Sequence, residues 1–254
     1  MIKKPGILFQ FELNAASDPA LSPPGWFFLS EGNLCINLPN ACLYEYSKAS
    51  QLYFHDNTTH YHYYLGRFFE DLQDILEQVA IKLPETFSSY VSDFTSFQKF
   101  KRTLRRYLYT VDNGDELEEK LASWIYKRAI PAEYLHGGPT VWFFRFESSL
   151  RIIWNADHRL NRQTHLWTFP FGQCTMDFQY FMDQTKLFAD SFFGSMAEKI
   201  IATPNIQNQH RDHLLTTNSQ IQSVFRKYLN GLSHPIEYPW AEIQALLAKI
   251  TDSD

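Results

Sequence analysis

Histidines, cysteines and carboxylates at short spacing are where chemistry would first appear. His55, His60 and His62, with Asp56 beside them, offer ligand types suited to zinc or iron. On a strand, His60 and His62 would send both rings to one face, an arrangement usable for metal-assisted hydrolysis. The periodicity of 61–79 reads instead as helix, where positions two apart diverge, and the common zinc spacings are absent. The expectation is a polar loop entering a helix, with no metal and no cofactor. A hydrolase using His55, His60 and His62 stands as the alternative.

Other groupings lack their companions. His210 and His213 flank Asp212 three apart on a helix but have no His-Glu-x-x-His glutamate. His210-Arg211-Asp212 is shaped like a kinase catalytic loop, yet no glycine-rich loop or Asp-Phe-Gly accompanies it. His136-Gly137-Gly138 is shaped like an esterase oxyanion loop without the Gly-x-Ser-x-Gly nucleophile turn. Neither phosphate-cradling glycine pattern occurs. Cys174 has no base near it in sequence and reads as a buried thiol. Cys35 and Cys42 flank the Pro39-Asn40 turn and can lie close together. An odd total of three cysteines nevertheless reads as reduced thiols in a cytoplasmic protein.

Two charge runs remain. Lys99, Lys101, Arg102, Arg105 and Arg106 lie on one helix among Phe97, Phe100 and Tyr107, and Asp112, Asp115, Glu116, Glu118 and Glu119 follow. As plain structure they are solvated helix faces, pairing with each other across Asn113-Gly114. As function, the acidic run is a docking surface that would speed capture of a basic partner.

The 254 residues carry a net charge of −5, which gives no general reason to bind nucleic acid or an anionic membrane. No run approaches the ~18 apolar residues of a membrane helix, and the interrupted apolar run at 7–13 is too short for a secretion signal. Phe, Tyr and Trp make up 17% of the chain, enough for a large core and for an aromatic-lined binding surface.

The elements that must position these groups are legible in outline. Period-two runs at 7–13, 26–29, 34–38 and 41–46 predict an antiparallel meander, with Ser-Glu-Gly-Asn at 30–33 as one hairpin turn. Apolar spacings of three and four predict a helix over 61–79, a helix or a pair of helices from 84 toward 109, and a helix over 115–129. Residues 141–146 and 150–155 predict a hairpin, with further strands at 165–169 and 173–176. Asp177 is placed to cap a long helix that Pro204 ends, and helices over 206–229 and 239–250 follow. The fold class is α+β, with antiparallel meanders (about 7–46 and 140–176) alternating with helical layers (about 60–129 and 177–250). Residues 1–254 read as one compact domain, with 1–130 and 131–254 as two pseudo-similar halves.

The stretch Gly138-Pro139-Thr140-Val141-Trp142-Phe143-Phe144-Arg145, followed by Leu150-Arg151-Ile152-Ile153-Trp154-Asn155, resembles a bacterial family of unknown function. That family has a Gly-Pro-x-apolar-x-Phe-Trp-Arg strand and then an Ile-x-Trp-Asp strand. Phe9-Gln10-Phe11-Glu12-Leu13, Trp26-Phe27, Trp167-Thr168 and the helix 181–199 extend the resemblance over most of 7–200. The chain departs from the pattern at Phe144, where Trp is expected, and at Asn155, where Asp is expected. These are core-type residues, so the resemblance implies a shared fold more than a shared activity.

In size and cytosolic character the family resembles immunity proteins, which neutralise toxins exchanged between bacteria. The expectation that follows is a non-enzymatic cytoplasmic protein that blocks one cognate toxin by direct contact. Asp112, Asp115, Glu116, Glu118 and Glu119 are the candidate contact. The alternatives are the histidine hydrolase and an aromatic-lined small-molecule module.

Overall fold

In the computed structural model, residues 7–15, 24–54, 59–110, 114–135, 137–231 and 238–251 are described. Alternation builds the first sheet: β1 (Phe9–Leu13) turns Phe9, Phe11 and Leu13 to the core and Gln10 and Glu12 to solvent. A short helix α1 (Trp26–Leu29) precedes β2 (Glu31–Leu38), and Pro39-Asn40 turn the chain into β3 (Ala41–Leu43). After α2 (Lys48–Phe54) comes β4 (Tyr61–Tyr64). It pairs with the first half of β2 while β3 pairs with the second half, so β2 is central and β1 is an edge.

Two expectations are corrected in this sheet. Trp26–Leu29 is helical and residues 30–33 are no hairpin turn. The Ser30 hydroxyl instead donates to the Phe27 carbonyl at 2.6 Å and accepts the Gly66 N–H at 3.0 Å, while the Trp26 indole donates to Asn218 Oδ1. Tertiary partners thus decide the conformation of a run that propensity alone reads as strand. Tyr61–Tyr64 is strand rather than the start of a helix, because β2 takes up its backbone groups from Glu31↔Tyr64 to Leu34↔Tyr61.

The amphipathic helix α3 (Leu65–Ala80) starts where β4 ends. The stretch expected from 84 as a helix or a pair of helices consists of a 3-10 turn at Glu85–Phe87 and then α4 (Phe94–Leu108). Asp93 sets that start by accepting the Ser96 N–H at 2.8 Å, and this bond holds its carboxyl down at about 2. The chain continues as α5 (Gly114–Tyr126), β5 (Ala129–Ile130), β6 (Thr140–Phe146) and β7 (Ser149–Asn155). A small pair, β8 (Arg159–Leu160) and β9 (Thr164–His165), leads to β10 (Phe171–Asp177). Asp177 caps α6 (Phe178–Ala202) by accepting the Tyr180 N–H, as expected, and α7 (Asn208–Gly231) and α8 (Trp240–Thr251) finish the fold.

The second sheet runs β10-β7-β6-β5, all antiparallel, and its central strands β6 and β7 are buried on both faces. Val141, Phe143, Ile152 and Trp154 face one core, with α3 and α6. Trp142, Phe144, Phe146 and Ile153 face the other, with α4, α5 and α8. Two cores explain why β6 and β7 read as nearly unbroken apolar runs. Each large side chain buried there contributes roughly 1.5–3 kcal/mol. Helices α3 and α6 contact both sheets, which leaves the far face of the first sheet polar. The fold is α+β with antiparallel sheets.

Candidate functional site

The outward face of the first sheet carries Gln10, Glu12, Asn33, Cys35, Asn37, Cys42 and His62, brought together by register. His62 is at the centre of its polar contacts. Its Nε2 lies 3.3 Å from Glu31 Oε1 and 3.4 Å from Asn14 Nδ2, and its Nδ1 lies 3.3 Å from Asn33 Oδ1. From α6, Lys199 reaches the Glu31 carbonyl at 3.5 Å, and burial lowers its ammonium pKa.

Lys199 stands between two clefts. One, of about 470 Å³, runs along the free edge of β1, between Phe11, Glu12, Leu13 and Asn14 on one side and Ser191, Ser195, Glu198 and Ala202 on the other. Those four α6 positions are spaced four, three and four, so they form one helical stripe of mostly small side chains. The other cleft, of about 380 Å³, shares Asn14 and Lys199 and is bounded by Phe28, Glu31 and Tyr64.

The hydrogen-bonding parity of β1 follows from its ends. The Asn37 N–H donates to the Leu8 carbonyl and the Asn14 N–H to the Glu31 carbonyl. Even-numbered residues therefore bond to β2, and the backbone groups of Phe11 and Leu13 point to the open edge. No strand pairs with that edge among the described residues. Phe9 and Phe11 hold β1 onto α6 through Phe188 and Phe192, with ring centroids 4.9–5.8 Å apart. The groove thus has fixed walls. Of this groove the sequence shows the strand at 7–13 and a stripe of small residues on the helix 178–202, but not that the two meet.

The structure distributes the candidate residues widely. His55, Asp56, Asp112 and His136 lie outside the described residues. His60 and His62 have different partners: Thr59 Oγ1 is 2.8 Å from His60 Nδ1, and a His60 ring nitrogen falls within 4.8 Å of the Cys35 and Cys42 sulfurs. Cys35 and Cys42 are joined as a disulfide, so the expectation of three reduced thiols does not hold for this redox form. The Pro39-Asn40 turn puts them on one face of adjacent strands, with Cα atoms 6.3 Å apart, within disulfide reach. Cys174 is free, and burial pushes its thiol up to about 12, leaving little thiolate at neutral pH.

Asp115, Glu116, Glu118 and Glu119 lie on α5, beyond the second sheet from the β1 groove. In the basic run, Lys101 lies over the Trp142 ring, 4.3 Å from its centroid, and is partly buried rather than solvated. His210 donates its Nε2–H to the Pro24 carbonyl, 3.1 Å away, and its ring is 6.4 Å from that of His213.

Two buried polar groups belong to the cores. The Asp71 carboxyl sits among Tyr44, Tyr61 and Tyr134 beneath β4. Burial raises its pKa against the pull of the Tyr134 hydroxyl and of Arg67, whose guanidinium is 3.2 Å away. Arg128 is fully buried, donates to the Trp124 carbonyl and stacks on Tyr238 and Trp240. Burial lowers its pKa to about 10.

No helix among the described residues is long and apolar enough to cross a membrane. The model of a family of unknown function (DUF5984) matches residues 8–246, which takes in both sheets and the groove. No curated protein and no solved structure matches.

Proposed function

We propose that this chain, which belongs to the DUF5984 family of unknown function, is a non-enzymatic binding protein that captures an extended segment of a partner protein along the β1–α6 groove. The observation that carries the reading is the open edge of β1 lying beside a stripe of small helix residues. An extended peptide adds to such an edge through main-chain hydrogen bonds, and the pockets beside the edge select its side chains. Unpaired edges are usually blunted or covered. Glu12 and Glu198 outnumber Lys199 along the groove and Glu31 bounds the adjoining cleft, so the fitting segment carries basic side chains. The partner class we assign is a bacterial toxin domain, which the protein neutralises in the cytoplasm as an immunity protein does.

The test is co-expression with toxin domains encoded beside its gene, scored by cell survival and by binding kinetics. The wild-type chain is expected to protect cells and bind stoichiometrically. Ser195→Trp, which fills the groove, and Glu198→Lys, which reverses its charge, are expected to abolish protection while thermal stability is kept. If both groove variants still protect, while charge reversal at Asp115, Glu116, Glu118 and Glu119 slows association, the contact lies on α5 and the groove assignment fails. If no neighbouring toxin is bound or neutralised, the immunity reading fails.

A further inference from the structure

The disulfide hairpin carries a second donor set that the groove does not use. Cys35 on β2 is buried, Cys42 on β3 is half-buried, and His60, half-buried, is placed beside them by its bridge to Glu45. The two sulfurs and one imidazole nitrogen all lie within 4.8 Å of one another. Thr59 holds the His60 ring through Nδ1, and Asn37 Oδ1 is 3.3 Å from Cys35 Sγ. Every one of these groups is tied to a strand or a tight turn, so the set is held by backbone rather than by flexible side chains. Two thiolates and an imidazole form a donor set for a soft or borderline transition metal, and a tetrahedral site built on three protein donors keeps one position open.

We propose that Cys35, Cys42 and His60 form a redox-gated zinc site, closed to metal as the disulfide and open to it as the dithiol. The opening step is thiol–disulfide exchange with a low-molecular-weight thiol. Two such thiols are oxidised to their own disulfide, and their two electrons and two protons pass to Cys35 and Cys42. On zinc binding the two cysteine thiols release their protons to solvent and His60 supplies a neutral nitrogen lone pair. The fourth position takes water or a donor from a partner. In a reducing compartment the dithiol prevails, so the metal-ready form is the one expected in the cytoplasm. The inference is independent of the groove, because none of its residues lines that cleft.

The experiment uses the full chain in two redox states. Protein reduced with a thiol, then desalted without oxygen, is titrated with zinc against a chromophoric chelator, and with cobalt as a spectroscopic probe. Reduced wild-type protein is expected to bind one zinc and to give a sulfur-to-cobalt charge-transfer band. Protein treated with oxidised glutathione is expected to bind none, and thiol counting is expected to fall from three to one. Cys35→Ser, Cys42→Ser and His60→Gln are expected to lose stoichiometric binding, while Cys174→Ser keeps it. Absence of zinc from the reduced wild-type chain, or equal binding by reduced and oxidised protein, overturns the proposal without relying on any variant.

Discussion

Ser30 is the joint on which the first sheet turns, and its removal is expected to have a calculable cost. Helix α3 begins after Tyr64, which offers no side-chain cap, so the Gly66 N–H at its second position depends on Ser30 Oγ, 3.0 Å away on another element. The Leu65 N–H donates to the Ser30 carbonyl at 2.9 Å, so one residue serves the first two of the four orphan donors of the helix start. Ser30→Ala removes the hydroxyl from a fully buried position. The Phe27 carbonyl keeps the Ser30 N–H as a donor, but Gly66 N–H is left with none. An unmet buried donor costs about 1–3 kcal/mol and the lost bond to Phe27 about 1 kcal/mol. The expected loss is therefore about 2–4 kcal/mol, or about 4–16 °C in melting temperature for a chain of this size.

A second variant tests the same joint by steric means. A Cβ at Gly66 would lie 3.0 Å from both Ser30 Oγ and the Trp26 ring. Gly66→Ala should thus destabilise, although on an open helix the change stabilises by about 1 kcal/mol. Urea unfolding of the three proteins measures both. A Ser30→Ala loss below about 0.5 kcal/mol, together with a stabilising Gly66→Ala, would refute the corner as the anchor of α3.

Three further outcomes are expected. Reducing the disulfide in metal-free buffer should cost about 2.5 kcal/mol by loop-closure entropy for cysteines seven apart. The double variant Cys35→Ser/Cys42→Ser should make the protein indifferent to reductant in the same melt. Burial raises the folded-state pKa of Asp71 above its ordinary 3.8, so the native state holds the proton more tightly than the unfolded chain does. Stability from this group is therefore present below the unfolded pKa and is lost as pH rises through the folded one. Asp71→Asn should gain on wild type over that interval in paired denaturation curves and hold a constant difference above it. Lys101→Met, which keeps the stem over Trp142 but removes the charge, should cost about 0.5–2 kcal/mol, and a Trp142→Leu background should erase that difference in a double-mutant cycle.

Local patterns alone settled much of this protein. The α+β class, the hairpin of β6 and β7, the Pro39-Asn40 turn, the Asp177 cap and the long helix α6 all follow from alternation, spacing and cap chemistry between near neighbours. Long-range partners decided the rest. Trp26–Leu29 is helical because Ser30 and Asn218 hold its corner, and Tyr61–Tyr64 is extended because β2 offers it a free edge. His60 sits with Cys35 and Cys42 rather than with His62, since its neighbours are set by strand pairing across some twenty residues of chain. The groove joins β1 to a helix nearly two hundred residues further on. A sequence states which residues a strand or helix turns to one side. Which element meets that side is fixed only when burial and backbone hydrogen bonds are satisfied across the whole chain at once.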